Sequence, residues 1–196
     1  MMKKKKVLVI VAHPDDETIW VGGLLLRNKK NWETTVICLC RKSDKDRNPK
    51  FFKACEILNV KGFICDLDDE KFFPLENKTI MTEILKYSGK NYDILFTHGE
   101  NGEYGHIRHK DTHNAVVGLI NKKILIAKKI FFFSYKKRNN NYQGYAIYNS
   151  NADKLIKLNS DELSMKKKLI MDIYGYGKGG FEELSCGKIE AFDILR

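Results

Sequence analysis

No stretch of this 196-residue chain approaches the ~20 consecutive apolar residues that a membrane-spanning helix requires. A spanning helix is therefore excluded. The basic start "MMKKKKVLVIVAHPDD" runs into a short strand-like segment that holds a histidine and two carboxylates, so a secretory leader is not expected. The five cysteines (Cys38, Cys40, Cys55, Cys65, Cys186) form no CxxC, and three lie within or beside apolar strand-like runs. They read as buried free thiols in a reducing, cytoplasmic setting. No GxGxxG follows the first strand-like run, and "GYGKGG" follows a helical pattern, so a dinucleotide site is not expected. Internal repeats are also lacking. The net charge of +10 suits an anionic partner such as a phosphorylated sugar, a nucleic acid or a membrane surface. Yet the lysines are scattered in clusters along the whole chain, and no aromatic-plus-basic recognition motif accompanies them; a specific nucleic-acid partner is not expected.

What is present is a rhythm. The runs "VLVIVA", "TTVICLC", "GFICDL", "YDILFTH" and "IFFFSY" have the length and the Val, Ile and Phe content of strands buried on both faces. Between them lie "DETIWVGGLLLRN", "NPKFFKACEILNV", "TIMTEILKYSG" and "HKDTHNAVVGLINKK", with apolar positions at helical spacing. The alternation predicts an α/β fold: a Rossmann-like three-layer αβα sandwich with a mostly parallel sheet, residues 1–196 forming a single domain. Gly22 and Gly23 fall inside the first helix and suggest close helix-to-sheet packing. After Tyr135, "KKRNNNYQG" reads as a polar loop and "YAIYNS" as a short strand. "SDELSMKKKLIMDIY" reads as a helix opened by Ser160, and "GYGKGGFEELSCG" as an irregular rim around a site.

In open α/β sheets, ligands bind beyond the carboxyl ends of strands where the chain order reverses. That rule sets His13, Asp15 and Asp16 beside "GENGEYGHIRHKDTHNAV", the segment after "YDILFTH"; counted with His98 just before it, its His106, His109 and His113 make four of the five histidines. Imidazole and carboxylate together suit Zn²⁺ or a similar divalent ion, Fe²⁺ and Co²⁺ included, and catalytic zinc keeps three protein ligands and one open position. His13, Asp16 and one histidine of the second cluster make such a triad, which frees Asp15 to take a proton from water. Spacing alone permits either His109 or His113. The bland alternative is a Pro-Asp-Asp turn with Asp16 capping the helix that follows, and histidines solvated on one helix face.

"AHPDDE" after a first strand and "GEYGHIRH" after a later one closely resemble the zinc-dependent de-N-acetylases of the PIG-L/LmbE-like family, which includes N-acetylglucosaminylphosphatidylinositol deacetylases. "DRNPKFFKACEILNV", "DELSMKKKLIMDIYGYG" and "GKIEAF" add weaker similarities across nearly the whole chain. The resemblance implies a zinc site of His13, Asp16 and His109, with Asp15 as general base. It implies His106 as acid or oxyanion stabiliser, Tyr104 near the reacting centre, and Arg47 against a polar or phosphate group of the substrate. His98 is a further candidate for substrate contact. Ile107 and Arg108 replace the usual pair within the His-x-x-His motif, Asn59 stands where glycine is usual, and Lys50 where a glutamate often follows.

The reaction implied is hydrolysis of an acetamide on an N-acetylglucosamine-type amino sugar or its conjugate. A homo-oligomer is compatible with this reading. Two rivals stand beside it: a catalytically idle zinc- or sugar-binding module, and a polyanion-binding protein that exploits the +10 charge. The first leaves Asp15 without a task, and the second demands a salt-sensitive affinity.

Overall fold

β1 (Lys5–Val11) is the reason the chain folds around its N-terminal segment: from Val7 onward every side chain of it is wholly buried. The computed structural model describes residues 3–71, 73–138 and 144–195. From β1 the chain runs through α1 (Asp16–Asn28), β2 (Trp32–Cys40), α2 (Arg47–Leu58), β3 (Lys61–Leu67), α3 (Asn77–Tyr87) and β4 (Asn91–Thr97). Then come α4 (Gly102–Gly105), α5 (Ile107–Asn121), β5 (Ile126–Phe133) and a small hairpin, β6 (Tyr135–Lys137) with β7 (Ala146–Tyr148). β8 (Lys154–Lys157), α6 (Ser160–Lys168), a π-helical turn over Leu169–Ile173, α7 (Phe181–Ser185) and β9 (Ile189–Ile194) complete it.

The main sheet has the order β3-β2-β1-β4-β5-β9-β8. β1 to β5 are parallel to one another, and β9 and β8 close one edge, β9 antiparallel to both β5 and β8. This is the mostly parallel αβα sandwich that the alternation predicts. Odd residues of β1 (Val7, Val9, Val11) pack with Trp20, Leu25 and Phe51 on one face. Even residues (Leu8, Ile10) pack with Ile80, Ile84, Ala115 and Leu119 on the other. The chain leaves β1 toward β2 and β3, then returns to lay β4 on the opposite side of β1. The carboxyl ends of β1 and β4 thus flank the reversal point, where ligand crevices form in such sheets.

Several local expectations change. β8 and β9 fall outside the five strand-like runs, because both are short and interrupted by charge. The expected loop at 136–144 begins as strand β6, and its residues 139–143 lie outside the described residues. α6 is opened by Asn159 rather than Ser160: Asn159 Oδ1 accepts the Glu162 N–H (2.8 Å), and Glu162 Oε2 accepts the Asn159 N–H (2.9 Å), a capping box. Of the two helical glycines only Gly23 is required. A Cβ there would stand 2.4 Å from Leu158 Cδ2, and its N–H donates to Glu190 Oε1 on β9 (2.8 Å). Asn59 ends α2 in the left-handed region (φ 56°), a role asparagine fills where glycine is the commoner choice.

Candidate active site

The strand exit is held by main-chain bonds before any ligand is considered. Asp15 has φ 117°, a strained value for a residue with a Cβ, and its N–H donates to the buried Glu17 carboxylate (3.1 Å). Its carbonyl accepts the Thr18 and Ile19 N–H groups that open α1. Neither Asp15 nor Asp16 caps the helix with its side chain: Asp15 occupies the cap position without such a bond, and α1 starts at Asp16. Instead, Asp16 Oδ2 accepts the His13 N–H (2.8 Å) and Oδ1 accepts Trp20 Nε1–H (2.7 Å). The carboxylate is therefore fixed on both oxygens. Of the five non-glycine residues with positive φ among the described residues, Asp15, Arg41 and Glu103 all carry side chains of this site. Asn59 and Lys123 sit at helix ends, so the functional strain is concentrated here.

Three groups converge on one point. His13 Nδ1 lies 3.2 Å from His109 Nε2 and 3.3 Å from Asp16 Oδ2, and His109 Nε2 lies 3.5 Å from Asp16 Oδ1. A tetrahedral ion with bonds of about 2.0–2.1 Å spaces its ligand atoms by about 3.3–3.4 Å; the two imidazole nitrogens stand near that spacing, each faces a different oxygen of Asp16, and the donor types suit a small divalent metal. The far nitrogen of each histidine rests on a carboxylate. His13 Nε2 meets Asp69 Oδ1 (2.9 Å), and His109 Nδ1 meets Glu103 Oε2 (2.5 Å). Such carboxylates orient a metal-binding imidazole and fix its tautomer. Related groupings, His13–His106–His109 and Asp16–His98–His109, also bring their ligand atoms within 4.8 Å.

Beside the triad opens a cavity of about 180 Å³, lined by Asp15, Tyr104, His106, Arg41, Arg47 and Tyr176 among others. Asp15 Oδ2 accepts from Arg47 Nη1 (3.1 Å) and from the Tyr176 hydroxyl. Burial and the adjacent Asp16 charge push the Asp15 carboxyl well above the usual range. Asp16 moves the opposite way: burial resists, but His109 and His98 hold it well below. Burial would lower the His13 pKa, but its bonds to Asp16 and Asp69 outweigh this and carry it up to about 10. His106 is pushed down to about 4 by burial and by the neighbouring His109 and His13. Its Nδ1 accepts the Arg108 N–H (3.2 Å), so the neutral ring keeps its proton on Nε2. Tyr104 stands against Phe181 (ring centroids 4.6 Å apart), its phenol pKa raised by burial and nearby carboxylates.

Two candidates lie elsewhere. His98 is wholly buried behind the triad, so as placed it forms no part of the cavity wall. Glu103 and Asp16 overcome burial and pull its pKa up to about 9. However, its Nε2 accepts the Ala12 main-chain N–H (3.0 Å), which only an unprotonated nitrogen can do; the ring is neutral and Nδ1–H donates to Glu103 Oε2 (2.8 Å). His113 turns away altogether. Its Nδ1–H donates to the His98 carbonyl (2.9 Å) and its ring packs on Phe132. Sequence reasoning missed Asp69, Glu103, Arg41 and Tyr176. Asp69 sits in the acidic run "CDLDDEK" at the exit of β3, Glu103 in the histidine-rich motif itself, and Tyr176 in the glycine-rich stretch expected to form a rim.

Residues 8–120 match the model of the PIG-L family, described as GlcNAc-PI de-N-acetylase. Uncharacterized protein L374 of Acanthamoeba polyphaga mimivirus is 32% identical over 127 residues, 55% of this chain and 54% of that one. The chain thus spans about half the length of the curated relative it matches. Among solved structures, N,N'-diacetylchitobiose deacetylase from Pyrococcus horikoshii superposes with a TM-score of 0.68 at 16% identity, covering 97% of this chain and 84% of that one. The conserved protein TT1542 from Thermus thermophilus gives 0.69 at 16% identity (96% and 94%). GalB, the 4-carboxy-2-hydroxymuconate hydratase from Pseudomonas putida, gives 0.68 at 14% (98% and 96%). Such identities carry the fold alone. A fold shared by a deacetylase and a hydratase does not assign a reaction, which must be argued from the site.

Proposed function

From the premise that this chain belongs to the GlcNAc-PI de-N-acetylase family, we propose that it is a metal-dependent hydrolase that removes the N-acetyl group from an N-acetylglucosamine-type amino sugar or its conjugate. The observation that carries the proposal is the convergence of His13 Nδ1, Asp16 and His109 Nε2 beside a cavity walled by Asp15, His106 and Tyr104. Those three residues would hold the metal, zinc by preference, with Fe²⁺ and Co²⁺ accepted by the same donors. When bound, the ion supplies Lewis acidity, which polarises a carbonyl and acidifies water.

The chain's own groups divide the remaining work. Asp15 is the general base: it receives the proton of the attacking water at Oδ1, since Oδ2 already accepts from Arg47 and Tyr176, and returns it to the amide nitrogen as the C–N bond breaks, so that acetate and the free amine leave. Burial and the adjacent Asp16 charge raise its pKa, which makes the carboxylate a stronger base. His106 Nε2–H and the Tyr104 hydroxyl donate to the carbonyl oxygen as it gains charge; removing one such donor typically lowers turnover by about 10²–10³-fold. His106 is neutral in this role, because its pKa of about 4 leaves it unprotonated at pH 7. Arg47 and Arg41, each about one-third exposed at the cavity, contact the polar groups of the sugar or its substituent. The five free buried thiols favour a reducing, cytoplasmic setting as part of the same proposal.

The test is acetate release from a panel of N-acetylglucosamine conjugates by zinc-reconstituted protein, with Asp15→Asn as the control. Release by the wild type and its loss in the control is the expected result. Equal rates from both proteins would remove Asp15 from the mechanism, and no release from any N-acetylated sugar would remove the proposed reaction.

A further inference from the structure

Arg108 is 2% exposed, although a guanidinium stays charged at every accessible pH. Its charge meets Asp111 Oδ2 one turn along α5 (2.7 Å). Its remaining donors reach across to the segment that follows β3. Nε–H donates to the Asp68 carbonyl (2.6 Å), Nη1–H to the Phe73 carbonyl (2.7 Å), and Nη2–H to the Lys71 carbonyl. Asp111 joins the same segment by accepting the Leu75 N–H (3.2 Å). One side chain therefore ties three main-chain carbonyls of this loop to α5.

The loop carries Asp69, which is next to the first of those carbonyls. Asp69 Oδ1 holds His13 Nε2, and Oδ2 accepts from Arg41 Nε (2.8 Å). On α5, Arg108 is followed directly by His109. Two consecutive residues thus serve the two histidines of the triad: His109 enters it, and Arg108 fixes the loop whose carboxylate orients His13.

We propose that Arg108 is a positioning residue for the metal-binding triad: by latching the loop after β3 to α5, it keeps Asp69 on His13 Nε2 and so sets the affinity for the divalent cation. This rests on the metal site put forward above. No other side chain can make the latch, because it needs several diverging N–H donors in one plane. A lysine ammonium is a point donor and cannot span three carbonyls.

The experiment is a double-mutant cycle read as metal affinity, with Co²⁺ and Zn²⁺ titrated into the metal-free wild type, Arg108→Lys, Asp69→Asn and the double variant. Residues that support a metal ligand typically contribute about 10–100-fold to affinity. Asp69→Asn is expected to fall in that range and Arg108→Lys at about tenfold, with an altered visible Co²⁺ spectrum. The double variant is expected to bind no more than about twofold more weakly than Asp69→Asn alone, because both changes break one chain of contacts. Losses that multiply would mean that Arg108 acts elsewhere, and wild-type affinity in Arg108→Lys would end the proposal outright. A wild type that binds neither ion would remove the metal site itself, a different result from either. Should Arg108→Lys fail to fold, Arg108→Met/Asp111→Leu replaces it in the cycle, since exchanging a buried ion pair for apolar side chains of similar size is often tolerated.

Discussion

Glu103 offers a sharp test of how the triad is held. Its Oε2 accepts from both His98 Nδ1–H (2.8 Å) and His109 Nδ1–H, and its Oε1 accepts the Gly99 N–H (2.8 Å). Burial opposes the charged carboxylate, but His98 and His109 hold its pKa down at about 2. In Glu103→Gln the shape is kept and only one oxygen remains. If that oxygen faces the two histidines, the amide NH₂ confronts the Gly99 N–H. If it faces Gly99, the NH₂ confronts two imidazole N–H groups. Either way at least one buried donor loses its acceptor, which costs about 1–3 kcal/mol. Loss of a supporting carboxylate lowers metal affinity by about 10–100-fold, which is about 1.4–2.7 kcal/mol and agrees with the first figure. We predict that Glu103→Gln weakens Zn²⁺ or Co²⁺ binding by that factor, measured by competition with a chromophoric chelator. The same unsatisfied donor burdens the metal-free protein, which should unfold about 2–12 °C below the wild type while keeping a single cooperative transition. Affinity within twofold of wild type would show that the His109 tautomer is not set by Glu103, and the reasoning would fail.

Three further outcomes are expected. His13→Ala and Asp16→Ala lose both metal and turnover, whereas Asp15→Asn keeps the metal and loses about 10²–10⁴-fold in kcat; metal content by atomic absorption beside initial rates separates the two classes. Tyr176→Phe removes one of the two donors on Asp15 Oδ2, and kcat falls while metal content does not; an unchanged kcat would reduce Tyr176 to a wall of the cavity. Glu162, held below the usual carboxylate range chiefly by its two bonds to Arg27 (2.7 and 2.6 Å), clamps α6 to α1. A depressed folded-state pKa contributes stability that is present above the unfolded value of about 4.3 and is lost as pH falls through the lower folded value. Glu162→Gln therefore flattens the acid side of the denaturation midpoint against pH, and an acid limb of unchanged slope would count against the clamp.

What could be read from the sequence divides along a physical line. β1 to β5 and the long helices between them are legible because burial on two sheet faces or one helix stripe imposes a local period. β8 escapes because it is a four-residue edge strand with exposed lysines, and β9 because Glu190 and Asp193 interrupt its short apolar run. The positions of His13 and Asp16 follow from a strand exit at a topological reversal, a rule that needs only strand order. The partners of those residues do not follow from it. Asp69 lies 56 residues from the His13 it holds, His98 lies 86 from the Ala12 amide it accepts, and Tyr176 lies 161 from Asp15. Each is a polar side chain whose local context, an acidic run, a histidine cluster or a glycine-rich stretch, is equally at home in water. Its meaning appears only when the fold removes the water and leaves one partner. Arg108 is the clearest instance: on a helix surface it would be one more cation in a chain of net charge +10, yet buried at the base of a loop it has to satisfy its donors there. The carbonyls that meet this demand belong to the segment that bears Asp69, so the need to satisfy a buried charge and the need to orient His13 are met by the same contact.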